Sequence, residues 1–223
     1  MTEGAGSLAL HPLLTERTTA LTDLLVAAAA GGAALRLFLS GRRNTALWAS
    51  ALVTAAAAAL LGAAAHGLVL PPPVYHGLWR GIYALLAAAV AFTAAAAGRE
   101  ALGGTAARLL FAALAGGACL FWLLTTYRSS SFSLFVAYEA AGLGLAMALL
   151  GSLARKGRAG AGLCLWAFVL LLAAGAVQAS GPFVVHAGLP LDHNGLFHLL
   201  QLPAFFLVAA GAERLGGPAA SPP

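Results

Sequence analysis

Six ionisable side chains sit where an apolar chain has little ordinary use for them: Glu16, Asp23, His66, Glu139, His193 and His198. Imidazoles projecting from separate segments, with carboxylates beside them, are the donors of a metal centre. Neutral imidazole nitrogen suits zinc, three protein ligands leave a position open for water, and a nearby carboxylate takes that water's proton. On this reading His66, His198 and His193 hold zinc, while Asp23, Glu139 and Glu16 supply the acid and base. A metal-activated water of this kind serves hydrolysis. Arg80, Tyr83, Tyr138, Asn194 and Gln201 would meet the substrate. Spacing supports part of the set. Glu16, Thr19 and Asp23 fall at i, i+3 and i+7, on one helical face, as do Asn194, His198 and Gln201. His193 and His198 are i, i+5 and point apart on an ideal helix. Two facing imidazoles could also carry haem, and the same groups could form a structural network with no chemistry at all. Trp79, Trp122 and Tyr127 read equally as interfacial anchors, His11, His76 and His186 as residues in headgroup or loop water, and Cys119 and Cys164 as small buried hydrophobes.

The elements that must position these groups follow from composition. Of the 223 residues 61% are hydrophobic and 9% charged, against about a quarter charged in a soluble domain. A spanning helix takes about 20 apolar residues, and seven such stretches fit: 18–40, 46–69, 77–97, 105–125, 131–153, 160–179 and 193–213. The expectation is an all-α integral membrane protein, a seven-transmembrane helix bundle. It has a short extracytoplasmic N-terminus over 1–17, a membrane domain over 18–213, and a disordered cytoplasmic tail over 214–223. Pro71-Pro72-Pro73 ends the second span and Gly181-Pro182 the sixth, since proline cannot continue the hydrogen-bond ladder. Asp192 is placed to cap the seventh.

Net charge is +5, but the basic residues stand at helix ends without a patch, so nucleic acid is excluded as a partner and topology explains them. Arg36, Arg42, Arg43, Arg99, Arg108, Arg155, Lys156, Arg158 and Arg214 fall on one side, and only Arg17, Arg80 and Arg128 on the other. The basic side faces the cytoplasm, which makes the chain N-out and C-in and places all six histidines in the outer half. The partner this implies is membrane lipid, and no soluble protein partner is indicated. The Arg-, Ala- and Gly-rich composition suggests the inner membrane of a GC-rich bacterium. Lys156, the one lysine, lies in a cytoplasmic loop, so a retinal Schiff base is excluded.

Three segments resemble a known family: Glu16-Arg-Thr-Thr-Ala-Leu-Thr-Asp23, Gly62-Ala-Ala-Ala-His66-Gly, and Asp192-His-Asn-Gly-Leu-Phe-His198. They look like the alkaline ceramidase-type members of the CREST superfamily of seven-span membrane hydrolases. The resemblance implies an N-out bundle, zinc held by three histidines, and hydrolysis of a lipid amide or ester bond. His66 matches the second-helix histidine and His198 the second of the last pair. The first of that pair falls on Asn194, with His193 one place off. The family's motif serine falls on Gly62, and no Asp stands in the third span, where Arg80 and Tyr83 are the polar candidates. Either His193 supplies the third ligand through a distorted helix start, or the site binds without hydrolysing.

Overall fold

The computed structural model describes residues 9–42, 44–127 and 131–217, and within them seven helices are long and apolar enough to cross a membrane. They are α1 (Leu14–Leu39), α2 (Thr45–Gly67), α3 (Pro72–Leu102), α4 (Gly104–Tyr127), α5 (Ser131–Arg155), α6 (Ala161–Ala179) and α7 (His193–Leu215). Arg43, Arg128 and the last six tail residues lie outside the described residues. The helices agree with the expected spans except at their ends. α3 starts five residues early, because Pro72 and Pro73 occupy its first turn, where the missing N–H has no intrahelical partner to lose. α1 likewise begins at Leu14, and α7 carries Arg214 and Leu215 that were assigned to the tail.

α1 packs on α2 and α7, α2 on α3, α3 on α4 and α5, α5 on α6, and α6 on α7. α4 therefore lies at the periphery, against α3. Alanine makes these approaches close. Ala30, Ala33, Ala94, Ala97, Ala146, Ala161 and Ala209 are almost fully buried, and they surround the larger Trp48, Leu37, Leu150 and Phe168. Small residues suit a membrane interior, where dispersion contact between backbones replaces the hydrophobic effect as the driving force. Trp48 and Phe168 stack across the α2–α6 gap with ring centroids 6.4 Å apart.

Two short antiparallel ladders tie one end of the bundle together. β1 (Ala9–Leu10) pairs with β2 (Leu68–Val69), joining the start of α1 to the end of α2. β3 (Val184–Ala187) pairs with β4 (Leu189–Asp192) around Gly188, whose φ of +81° suits a glycine turn. That hairpin delivers the chain to α7. Asp192 caps the helix as its type and place led one to expect, accepting from the Gly195 N–H at 2.7 Å. At the opposite end Arg36 of α1 holds Glu213 of α7 with two hydrogen bonds, 2.8 and 2.6 Å. Arg158 donates to the Leu215 carbonyl at 3.0 Å and lies 3.7 Å from Glu100.

Candidate functional site

α1 brings a polar face to α7 through consecutive threonines. Thr18 donates to the Pro190 carbonyl at 2.6 Å and Thr19 to Asp192 Oδ1 at 2.7 Å. Thr22 donates to the Thr19 carbonyl at 2.8 Å, and its oxygen lies 3.0 Å from His198 Nδ1. With the hydroxyl hydrogen used on Thr19, Nδ1–H is the donor in the second contact, an assignment made from the partners. One turn on from Thr19, Asp23 places Oδ1 3.3 Å from His198 Nε2. A neutral His198 that carries its hydrogen on Nδ1 thus turns a lone pair toward a carboxylate oxygen. Two acceptors at that distance call for a proton or another cation between them.

His66 is anchored in the same manner. Its Nδ1 lies 2.7 Å from Glu16 Oε2, and its ring meets Trp79 edge-on with centroids 5.6 Å apart. Carboxylate or hydroxyl partners on Nδ1 fix the orientation of each imidazole.

Gly62 has a steric role. A Cβ built there would stand 2.8 Å from Asp23 Oδ1, 2.9 Å from Oδ2 and 3.0 Å from Cγ. The space that the motif serine would occupy is filled by a carboxylate from α1. Asp23 Oδ2 is buried there with no hydrogen-bond partner.

These groups line one cavity of about 170 Å³ between α1, α2, α3, α5, α6 and α7. Asp23, His66, Glu139 and His198 all line it, so four of the six ionisable groups singled out by the sequence converge. Gln178, Asn194 and Gln201 join them at the end of the bundle where α1 and α7 begin. Toward the other end the lining becomes Val26, Ala55, Leu86, Leu143, Phe168 and their neighbours, with Thr93 the only polar exception. On α2 the lining runs from His66 to Ala51, and on α7 from Asn194 to Val208. At 1.5 Å per residue each run is roughly 20 Å long. The shape is a shaft, polar at one end and apolar along most of its length.

The remaining sequence candidates lie elsewhere. His193 does not line the cavity: its ring packs near Phe183, centroids 6.3 Å apart, and its buried Nδ1 has no partner. Asn194 takes the cavity-facing place, 3.4 Å from Gln178 Nε2, because one residue of helix turns the side chain through about 100°. Arg80 is exposed on α3 and outside the cavity lining, whereas Tyr83 faces in. Tyr138 also lies outside the lining. Its hydroxyl reaches the carbonyls of Ala87 and Leu114 at 3.1 and 3.2 Å and so joins α3, α4 and α5. Glu16 stands behind His66 rather than in the cavity. Thr18, Thr22 and Phe135 had no part in the sequence reading, which named Thr19 on that face, Tyr83 as a substrate contact and Trp79 as an anchor. The signal available was Thr18, Thr19 and Thr22 at helical spacing around Asp23.

The three-imidazole zinc centre does not fit this arrangement, since His193 is turned away. Among the described residues no group of three His, Cys, Asp or Glu side chains is disposed to hold a metal ion.

Seven apolar helices of spanning length, closed around a buried polar cluster, define an integral membrane protein of the all-α seven-helix class. Residues 18–216 match the model of a family of unknown function, DUF6962, and the chain belongs to that family. No curated protein and no solved structure matches it.

Proposed function

We propose that the chain is a receptor- or transport-like membrane protein that takes a single-chain lipid into this cavity, with the polar head at Asp23, His66 and His198 and the chain in the shaft. The observation that carries the reading is the polarity gradient along the cavity. One leaflet's acyl chains span about 15 Å, half of the roughly 30 Å hydrocarbon core, and the apolar lining of α2 from Gly62 to Ala51 is of about that length. Pockets for small molecules combine an apolar wall with a few placed polar groups, as here. We place the polar end in the outer leaflet, N-out and C-in, on the distribution of basic residues, and assign the protein to the inner membrane of a bacterium on its composition.

Hydrolysis of the bound lipid's amide or ester is the second reading. What favours it is the pair of acceptors turned toward one another, Asp23 Oδ1 and His198 Nε2 at 3.3 Å, with His66 lining the same cavity. Zinc enters this reading only with Asp23 in place of His193, as two imidazoles and one carboxylate, and only if those side chains turn.

Two measurements on protein purified without chelator test both readings. Native mass spectrometry from lipid nanodiscs should detect a co-purifying single-chain lipid, lost when Ala55→Trp fills the shaft. Its absence, with an unaltered spectrum in the variant, would count against lipid binding. Elemental analysis near one zinc per chain, abolished by His198→Ala and retained by His76→Ala, would favour the hydrolase reading, and metal-free protein would remove zinc from it.

A further inference from the structure

Resting on the lipid-binding reading, the cavity's charges restrict what the head can be. We propose that it is an alkylammonium, held by Glu139 against the aromatic wall. Glu139 faces the cavity from α5 and has no hydrogen-bonding or ionic partner among the described residues. Of the other ionisable lining groups, His66 is held by Glu16 and His198 by Thr22, with Asp23 Oδ1 facing the His198 Nε2. A carboxylate at membrane depth either takes up a proton or needs a counter-charge, because hydrocarbon does not solvate it. The chain supplies none here.

No Lys or Arg lines the cavity. A carboxylate, sulfate or phosphate head would therefore meet Asp23 and Glu139 with no cation between. An ammonium reverses that balance, and its N–H groups find an acceptor at Glu139. The wall beside Glu139 suits the same charge. Phe135 precedes Glu139 by one helical turn and shares its face. Tyr83 lies 5.7 Å from Phe135 and 5.9 Å from Trp79, centroid to centroid, and all three rings line the cavity. Aromatic faces attract cations through their quadrupole, most strongly where water is excluded. The alkyl chain then runs into the shaft below.

The test compares three amphiphiles of equal chain length, dodecylammonium, dodecanoate and 1-dodecanol, binding to the full chain in phosphatidylcholine nanodiscs, with empty nanodiscs subtracted. Dodecylammonium should bind at least ten times more tightly than either other probe. Glu139→Gln should bring the three to parity, Glu139→Asp should keep the preference, and Tyr83→Leu should weaken the ammonium alone. Unchanged thermal unfolding of each variant shows that folding is not the cause. Equal or tighter binding of dodecanoate or dodecanol overturns the ammonium assignment and leaves the lipid cavity standing, as does a preference that survives Glu139→Gln. If none of the three probes binds, the cavity reading falls and this inference with it.

Discussion

Substituting Gly62 by alanine should change the sign of its effect with the residue at position 23. Gly→Ala in a helix interior ordinarily stabilises by about 0.5–1 kcal/mol, through the restricted unfolded chain and the better helix propensity. Here the added Cβ meets the Asp23 carboxylate at 2.8–3.0 Å, inside normal contact distance for three atoms. The carboxylate cannot swing aside freely, since Oδ1 is 3.3 Å from His198 Nε2 and the residue is only 4% exposed. Overpacking of this kind costs about 1–3 kcal/mol, so the clash wins and Gly62→Ala destabilises by roughly 1 kcal/mol net. In an Asp23→Ala background the clash disappears and the same change should stabilise by about 0.5–1 kcal/mol. The double-mutant coupling is then about 1–3 kcal/mol. Tryptophan fluorescence on heating, in one detergent and at one lipid ratio, reads it as melting shifts of about 2–4 °C per kcal/mol for a chain this long. An effect of the same sign and size in both backgrounds would refute the contact between Gly62 and Asp23.

Thr22→Val keeps the side-chain shape but leaves His198 Nδ1 without an acceptor, so it should destabilise by about 1–3 kcal/mol, while Thr22→Ser should melt near wild type. Arg36→Ala removes a bidentate pair with Glu213, but the arginine side chain is 54% exposed. The loss should be about 0.2–1 kcal/mol, shrinking with added salt, and a salt-independent loss well above that range would contradict the assignment. A reporter active only in the cytoplasm, fused after Arg214, should be active. Activity instead from a periplasmic reporter at that site would invert the proposed topology.

The seven spans were legible from Thr45 to Ala179 and beyond because hydrocarbon admits one backbone solution for a run of that length, with every N–H and C=O satisfied inside the helix. Composition and run length therefore determined the fold class, and Asp192 announced its own cap. The same rule made Asp23, Glu139, His66 and His198 conspicuous, since a polar group at depth has to be used or paired. Their meeting in one cavity could be anticipated from shared depth. What only the tertiary structure decided was rotation and reach. His193 and Asn194 are neighbours in sequence, yet one turns to Phe183 and the other to the cavity. Tyr138 spends its hydroxyl on two carbonyls while Glu139 faces the cavity. Gly62 read as a lost serine, although its missing side chain is what admits Asp23 from another helix. Depth is a one-dimensional property that hydropathy records. Which side chain fills which space depends on how the helices are turned against one another, and alanine-rich interfaces leave almost no periodic signal of that.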